Sequence, residues 1–290
     1  MSSVNKLITE FLFDLRKRKR TERTARNYDL YLRRFSGWLE QKQIENMGQV
    51  TPELIAKYKI WLKKIKNPIK KIYLKENTQN YHLIALREFI KYLGKKKILS
   101  ITNPKIKLPK TLKVKAGFLS KEDVQLLLES PMKISQPRLI QLRDRAILEL
   151  FYSTGIRVSE EASLQVSDIN FQKQEILVCS GQKKERRIKF SNQAKHWLVQ
   201  YLERRKNKSK YVFVSHDRAK ATREDAGLSA RSLERIVEKY ARGAGIDKKV
   251  TPQMLRHTYA FLLVERTADP RSVKQKLGHL SLNSAMRYFD

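Results

Sequence analysis

The chain opens on an apolar stripe at helical spacing. Leu7, Ile8, Phe11, Leu12, Phe13 and Leu15 recur around Glu10 and Asp14, so residues 4–16 should form an amphipathic helix rather than a signal peptide. Tyr28, Tyr31, Leu32, Phe35, Trp38 and Leu39 repeat the pattern over 21–39. Thr51 and Pro52 suit a cap and a first helical position, and predict a third helix running through Trp61 and Leu62. Tyr81, Leu83, Ile84, Leu86, Phe89, Ile90 and Leu93 mark a fourth over 77–93. Most of these aromatics read as packing rather than as platforms for bases. Residues 1–102 are thus expected to be an all-helical domain. Two prolines and several lysines then make 103–117 a basic linker, with Lys107 placed to lie on a phosphate backbone.

A second domain is expected over 118–290. Leu119-Ser120-Lys121-Glu122-Asp123 has the form of a cap and first turn. Leu139, Leu142, Ala146, Ile147, Leu150 and Phe151 predict a buried helix over 138–152, broken by Gly155, with Arg157 and Glu160 three residues apart on the next. Residues 175–179 and 187–190 read as strands flanking a basic hairpin tip, 180–186. A helix over 195–205, a short strand over 211–215 and a helix over 229–244 follow; the last has Leu233, Ile236, Val237, Tyr240 and Ala241 inward and Arg231 and Arg235 outward. Thr251 and Pro252 start another helix, and 270–277 forms one more, ended by Gly278. The pattern predicts a mainly α protein with a small β-hairpin or sheet, a helical first domain followed by an α+β second one.

Charge changes the picture. Lys and Arg number 62 against 29 Asp and Glu, a formal net charge of +33. With 41% apolar and 31% charged residues the chain is globular, and such an excess repels itself unless a polyanion is the partner. Nucleic acid is the natural candidate; an anionic membrane surface is the bland alternative, but no basic amphipathic anchor stands out. Candidate phosphate contacts are Arg18 and Arg20 in the run after the first helix, Thr24 and Arg26 near the start of the second, and Lys184, Arg186, Arg231 and Arg235 in the second domain. Arg218 and Lys220 sit in a polar loop, solvated or on phosphate. The one cysteine, Cys179, lies in an apolar run and reads as a small core residue; no internal disulfide and no Cys/His metal cluster can form. No apolar stretch approaches the ~20 residues of a membrane span, so no membrane partner is expected and the chain should be soluble and cytoplasmic.

The last forty residues concentrate the chemistry. Residues 253 and 256 share a face of their helix, His279 follows Gly278 on a loop, and Tyr288 comes nine residues later. An arginine fork binds the non-bridging oxygens of a phosphodiester, a histidine adds a hydrogen bond, and a tyrosine oxygen can attack phosphorus. No metal or other cofactor is needed if side chains supply the positive charge. Each of these residues alone is more often a surface or packing feature; their combination is informative.

That combination resembles the tyrosine recombinase family of the Xer and integrase type. Thr154-Gly155-Ile156-Arg157-Val158-Ser159-Glu160 looks like the family's T-G-L/I-R-x-S-E. Thr251-Pro252-Gln253-Met254-Leu255-Arg256-His257-Thr258-Tyr259-Ala260 looks like its T-P-H-x-L-R-H-T/S-F/Y-A, and Leu277-Gly278-His279 with Tyr288 completes the order. The resemblance spans nearly the whole chain. It implies a core-binding domain joined to a catalytic domain, and a site-specific recombinase that cuts and rejoins duplex DNA through a 3′-phosphotyrosyl link. It implies roles for Arg157, Arg256, His279 and Tyr288, with Glu160 orienting the site, and a homo- or hetero-tetramer on paired DNA sites.

Two departures stand out. Gln253 occupies the family's histidine position, and glutamine cannot accept a proton. In the hairpin, a gapless match puts the family's catalytic lysine on Gly181; Lys183, or else Lys184, then takes the role of acid, or both contact phosphate only. These departures keep two alternatives in view: a catalytically impaired DNA-binding protein on the same scaffold, and type IB topoisomerase-like relaxation. The chain stops at Asp290, where family members usually continue into a segment that docks on a neighbouring protomer; this ending puts ring assembly in question or marks a shortened chain.

Overall fold

The computed structural model describes residues 3–66, 71–98, 117–180, 184–216, 227–278 and 281–289. The backbone divides into two compact units, Met1–Val114 and Lys115–Asp290.

Among the described residues of the first unit are the α-helices α1 (Ser3–Lys17), α2 (Glu22–Glu40), α3 (Pro52–Lys64) and α4 (Glu76–Lys95). Their starts follow local chemistry. The Thr21 hydroxyl accepts from the Thr24 amide at 3.2 Å and the Thr51 hydroxyl from the Leu54 amide at 3.2 Å, each relieving an orphan donor of a first turn. Phe11, Leu32, Phe35, Trp38, Tyr58, Leu86 and Phe89 are buried together. The aromatics pack against one another: the Trp38 and Tyr58 rings are tilted with centroids 5.2 Å apart, which fits a packing role. Two residues depart from the expected stripes. Phe13 is 59% and Tyr81 56% exposed, because each points off the buried face of its helix. Arg18, Arg20 and Arg26 are exposed and Thr24 is partly buried at the α1–α2 corner; Arg18 pairs with Asp14 at 2.6 Å.

The second unit carries α5 (Lys121–Lys133), α6 (Arg138–Thr154), α7 (Val158–Ala162), β1 (Ile169–Asn170), β2 (Glu175–Ser180), β3 (Lys184–Lys189), α8 (Asn192–Arg204), α9 (Ala230–Gly243), α10 (Pro252–Thr267), α11 (Pro270–Leu277) and α12 (Asn283–Met286). The strands form one antiparallel sheet in the order β1-β2-β3. Leu142, Ile147, Phe151, Ile176, Ile188, Tyr201, Val237, Tyr240 and Leu255 build the core between sheet and helices.

The hairpin differs from its expected outline. Residues 184–186 belong to β3 rather than to the tip. The register sets Ile176 opposite Ile188, Val178 opposite Arg186 and Cys179 opposite Glu185. Alternation therefore turns Arg186 inward with Ile188, and turns Cys179 out, so the cysteine is exposed rather than a core residue. Residues 211–215 form no named strand. Tyr211 and Val214 make single bridges to Gln165 and Gly227, and Val212, Phe213 and Val214 are buried by packing rather than by a ladder.

Candidate active site

Two left-handed glycines shape the site. Gly155 (φ 58°) ends α6 and turns the chain into α7; a Cβ there would sit 2.5 Å from Tyr259 Cδ1. Gly278 (φ 62°) ends α11, and a Cβ there would meet Arg186 Cδ at 2.8 Å. Both positions need a residue without a side chain. Their carbonyls and that of Leu277 face the middle of the site and are each bonded to arginine.

Arg157 caps α7. Its amide donates to Glu160 Oε2 at 2.9 Å, its Nη1 to Glu160 Oε1 at 2.9 Å and its Nη2 to the Gly278 carbonyl at 2.8 Å. Arg186 reaches the same carboxylate with both terminal nitrogens, at 2.7 and 2.8 Å. Arg256, buried on α10, donates to the Gly155 carbonyl at 2.6 Å and to the Leu277 carbonyl at 2.5 Å. Two guanidinium groups thus bind one carboxylate and a third lies within reach of its charge, leaving two positive charges uncompensated among these four side chains. The Arg157 side chain remains 35% exposed, so the excess charge opens to solvent, as a site for a phosphodiester requires.

The electrostatics follow from burial. Burial pushes Glu160 up, but the bonds and charges of Arg186 and Arg157 outweigh it and hold the carboxyl below its usual range. Burial, followed by the Arg157 charge, pulls Arg256 down to about 10, which leaves it charged at neutral pH. Glu160→Gln should cost about 3 kcal/mol, because two arginines lose their buried counter-charge. A depressed carboxyl pKa contributes stability above the unfolded value near 4.5 that is lost as pH falls through the folded one. Urea unfolding should therefore show the variant's deficit shrinking below about pH 4.5; a deficit that persists unchanged at pH 3 would contradict this account.

Tyr288 packs partly buried beside Leu263, Val273 and Leu277. Its phenol oxygen lies 2.8 Å from His257 Nδ1 and 3.4 Å from Arg287 Nη2. Arg287 Nη2 is also 3.3 and 3.2 Å from the two ring nitrogens of His257. Gln253, exposed one turn before His257, places its amide nitrogen 3.3 Å from His257 Nε2. Burial first, then the charges of Arg287 and Arg256, lowers His257 to about 4, so its ring is neutral at pH 7.

Of the residues singled out in the sequence, Arg157, Glu160, Arg186 and Arg256 converge, and Gln253 and Tyr288 meet through His257. Lys107, Lys183, His279, Arg218 and Lys220 lie outside the described residues, as does the hairpin tip 181–183. Lys184 is placed in β3. Arg231 and Arg235 are exposed on α9. Sequence reasoning gave no role to His257 or Arg287. The available signals were spacing, since 253 and 257 are one helical turn apart, and adjacency to Tyr288. Among the described residues no group of three or more His, Cys, Asp or Glu could hold a metal ion, and no helix is long and apolar enough to cross a membrane.

Family models match parts of both units. Residues 117–290 match the Phage integrase family, and residues 8–97 match the Phage integrase N-terminal SAM-like domain. Tyrosine recombinase XerC of Syntrophus aciditrophicus (strain SB) is 35% identical over 220 residues, 74% of this chain and 70% of the relative. Tyrosine recombinase XerC of Histophilus somni (strain 2336) is 31% identical over 269 residues, 91% and 85% of the two chains. Among solved structures, XerA recombinase matches with TM-score 0.53 at 25% identity, over 99% of this chain and 94% of that one. A lambda integrase dimer bound to a COC′ core site matches in fold with TM-score 0.73 at 16% identity, covering 98% and 97%.

Proposed function

Since the chain belongs to the phage integrase family of tyrosine recombinases, enzymes that break and rejoin DNA, we propose that Tyr288 is its nucleophile and that the arginine cluster beside it binds the scissile phosphate. The observation that carries this reading is the convergence of Arg157, Arg256 and Tyr288, three side chains far apart in sequence, around the Leu277–Gly278 turn. The Tyr288 oxygen attacks phosphorus and forms a 3′-phosphotyrosyl link, and the 5′ oxygen departs. A 5′-hydroxyl of a partner strand reverses the step, so the bond energy is kept and no cofactor is consumed. Arg157 and Arg256 hold the non-bridging oxygens as charge develops on them. His279 adds a hydrogen bond, and Lys183 of the hairpin protonates the departing 5′ oxygen. Glu160 fixes Arg157, and Arg186 serves the site through Glu160 rather than as a free phosphate contact.

Duplex DNA is the substrate. Arg18, Arg20, Thr24 and Arg26 of the first unit, Lys107 of a linker over 103–117, and Lys184, Arg231 and Arg235 of the second unit contact its backbone. The net charge of +33 supplies the affinity, which should fall steeply with salt. Assembly on paired sites as a tetramer, in the cytoplasm, completes the reading.

The test is covalent capture. A nicked duplex, carrying a half-site that the protein selects from a random-sequence pool, lets the cut 5′ fragment diffuse away and strands the adduct. A band surviving denaturing electrophoresis, with the nucleotide located by mass spectrometry on the Tyr288 peptide, is the expected result. Tight binding of the selected duplex with no adduct would leave a DNA-binding protein in place of an enzyme acting through Tyr288.

A further inference from the structure

Cleavage needs the Tyr288 proton to go somewhere. A free tyrosine has a pKa near 10, so only about 0.1% is ionised at pH 7. The family motif has a histidine at the position of Gln253, and glutamine takes no proton. One turn along α10, however, stands an imidazole whose Nδ1 is 2.8 Å from the phenol oxygen. We propose that His257 is the general base of the cleavage step and that Gln253 is a positioning residue that fixes its tautomer. This rests on Tyr288 being the nucleophile.

The geometry assigns the two roles. The Gln253 amide and the phenol lie on different ring nitrogens, Nε2 and Nδ1. An amide presents its oxygen in place of its nitrogen by a half-turn about its last bond. With the oxygen towards Nε2, the ring donates Nε2–H to Gln253, and the Nδ1 lone pair is left to accept from the phenol. A ring whose Nε2–H is held by a carbonyl keeps its Nδ1 lone pair for the phenol at 2.8 Å, with the Arg287 guanidinium as the more distant donor at 3.3 Å. Arg287, 3.4 Å from the phenol oxygen, steadies the negative charge that grows there.

In the forward step the Tyr288 O–H proton passes to Nδ1, and the neutral imidazole becomes imidazolium. The electron pair left on the phenol oxygen forms the O–P bond. The P–O5′ bond breaks, its pair stays on the 5′ oxygen, and that oxygen takes a proton from Lys183. Rejoining returns both protons. Among the described residues the charged and titratable groups around the ring are Arg256 on α10 and Arg287 and Tyr288 in the C-terminal turn. Burial and the two arginines oppose imidazolium in the free protein and keep the ring neutral, ready to accept. A bound phosphodiester anion offsets those arginines, so the base strengthens as substrate arrives.

Single-turnover cleavage by the full chain tests the proposal on two nicked duplexes of the selected sequence. One has the ordinary 5′ bridging oxygen and the other a 5′ bridging sulfur, which leaves as thiolate without an acid. His257→Ala and His257→Gln should both slow adduct formation at pH 7 by about 10²–10³-fold on either duplex. Their deficit should shrink about tenfold per pH unit as rising pH removes the phenol proton without a base. A structural loss would instead be independent of pH, and loss of the acid would be rescued by sulfur. Either pattern, or rates within about threefold of wild type, overturns the assignment of His257. Wild-type protein that binds both duplexes and forms no adduct overturns the nucleophile itself, a result distinct from a slow His257 variant.

Discussion

Tyr288→Phe is expected to abolish covalent capture of DNA while leaving the fold and the DNA affinity close to wild type. The change removes one oxygen. The ring stays, and with it the packing against Leu263, Val273 and Leu277. Lost in the free protein are the 2.8 Å hydrogen bond to His257, about 0.5–1.5 kcal/mol at a partly buried position, and the longer 3.4 Å contact from Arg287. On the proposed reading DNA affinity comes mainly from lysine and arginine contacts to phosphate, which the substitution leaves in place. Chemistry is different in kind: a phenyl ring has no atom that can attack phosphorus, so the deficit is not a factor but a loss. Two measurements on one protein separate the cases. Fluorescence anisotropy at fixed salt should give an unchanged dissociation constant, and a denaturing gel should show no adduct. A persisting adduct would mean that another nucleophile acts. A collapse of binding would mean that Tyr288 holds the fold rather than the strand end.

How much of this was written in the sequence depends on whether a feature is local. The start of α10 at Thr251-Pro252 and the stop of α6 at Gly155 follow from capping chemistry, and both stand in the structure. The ordered residues Arg157, Arg256 and Tyr288 were legible through their resemblance to a family motif. The hairpin register was not. A shift of one residue turns every side chain of a strand to the other face, and the expected strand, starting three residues late at 187, hid both the inward Arg186 and the outward Cys179. The 211–215 segment carries the apolar signal of a strand, yet a buried extended run looks the same with or without neighbours to pair with. His257 was visible as a letter in the motif, but its contact with Tyr288 spans 31 positions, and no periodicity encodes that. Gln253 read as a defect because it was considered alone. Beside His257 its amide has a ring nitrogen to bond.

Arg256→Ala should be the most damaging single change at the arginine cluster, lowering cleavage by about 10³-fold or more and destabilising the second unit as well. Both effects come from one guanidinium used twice. Its Nη1 and Nη2 already bind the Gly155 and Leu277 carbonyls, and alanine would leave both unpartnered at a buried position, at about 1–3 kcal/mol each. Those two carbonyls sit at the turns that present Arg157 and lead to Gly278, so losing them loosens the scaffold of the other arginine too. Arg256→Lys separates scaffold from charge. An ammonium keeps the positive charge but is a point donor on a flexible stem, unable to span two carbonyls as a planar fork does. It should recover part of the stability and much of the DNA affinity, yet leave cleavage at least about 10²-fold slow, because the phosphate would meet a charge without fixed geometry. Thermal unfolding, anisotropy and single-turnover cleavage on the same three proteins would read these separately. If lysine restored cleavage to within about threefold, charge alone would suffice and the two-carbonyl clamp would be incidental to catalysis. If alanine and lysine were equally slow and equally unstable, the guanidinium would be acting through the scaffold, with Arg157 left as the main direct ligand of the phosphate.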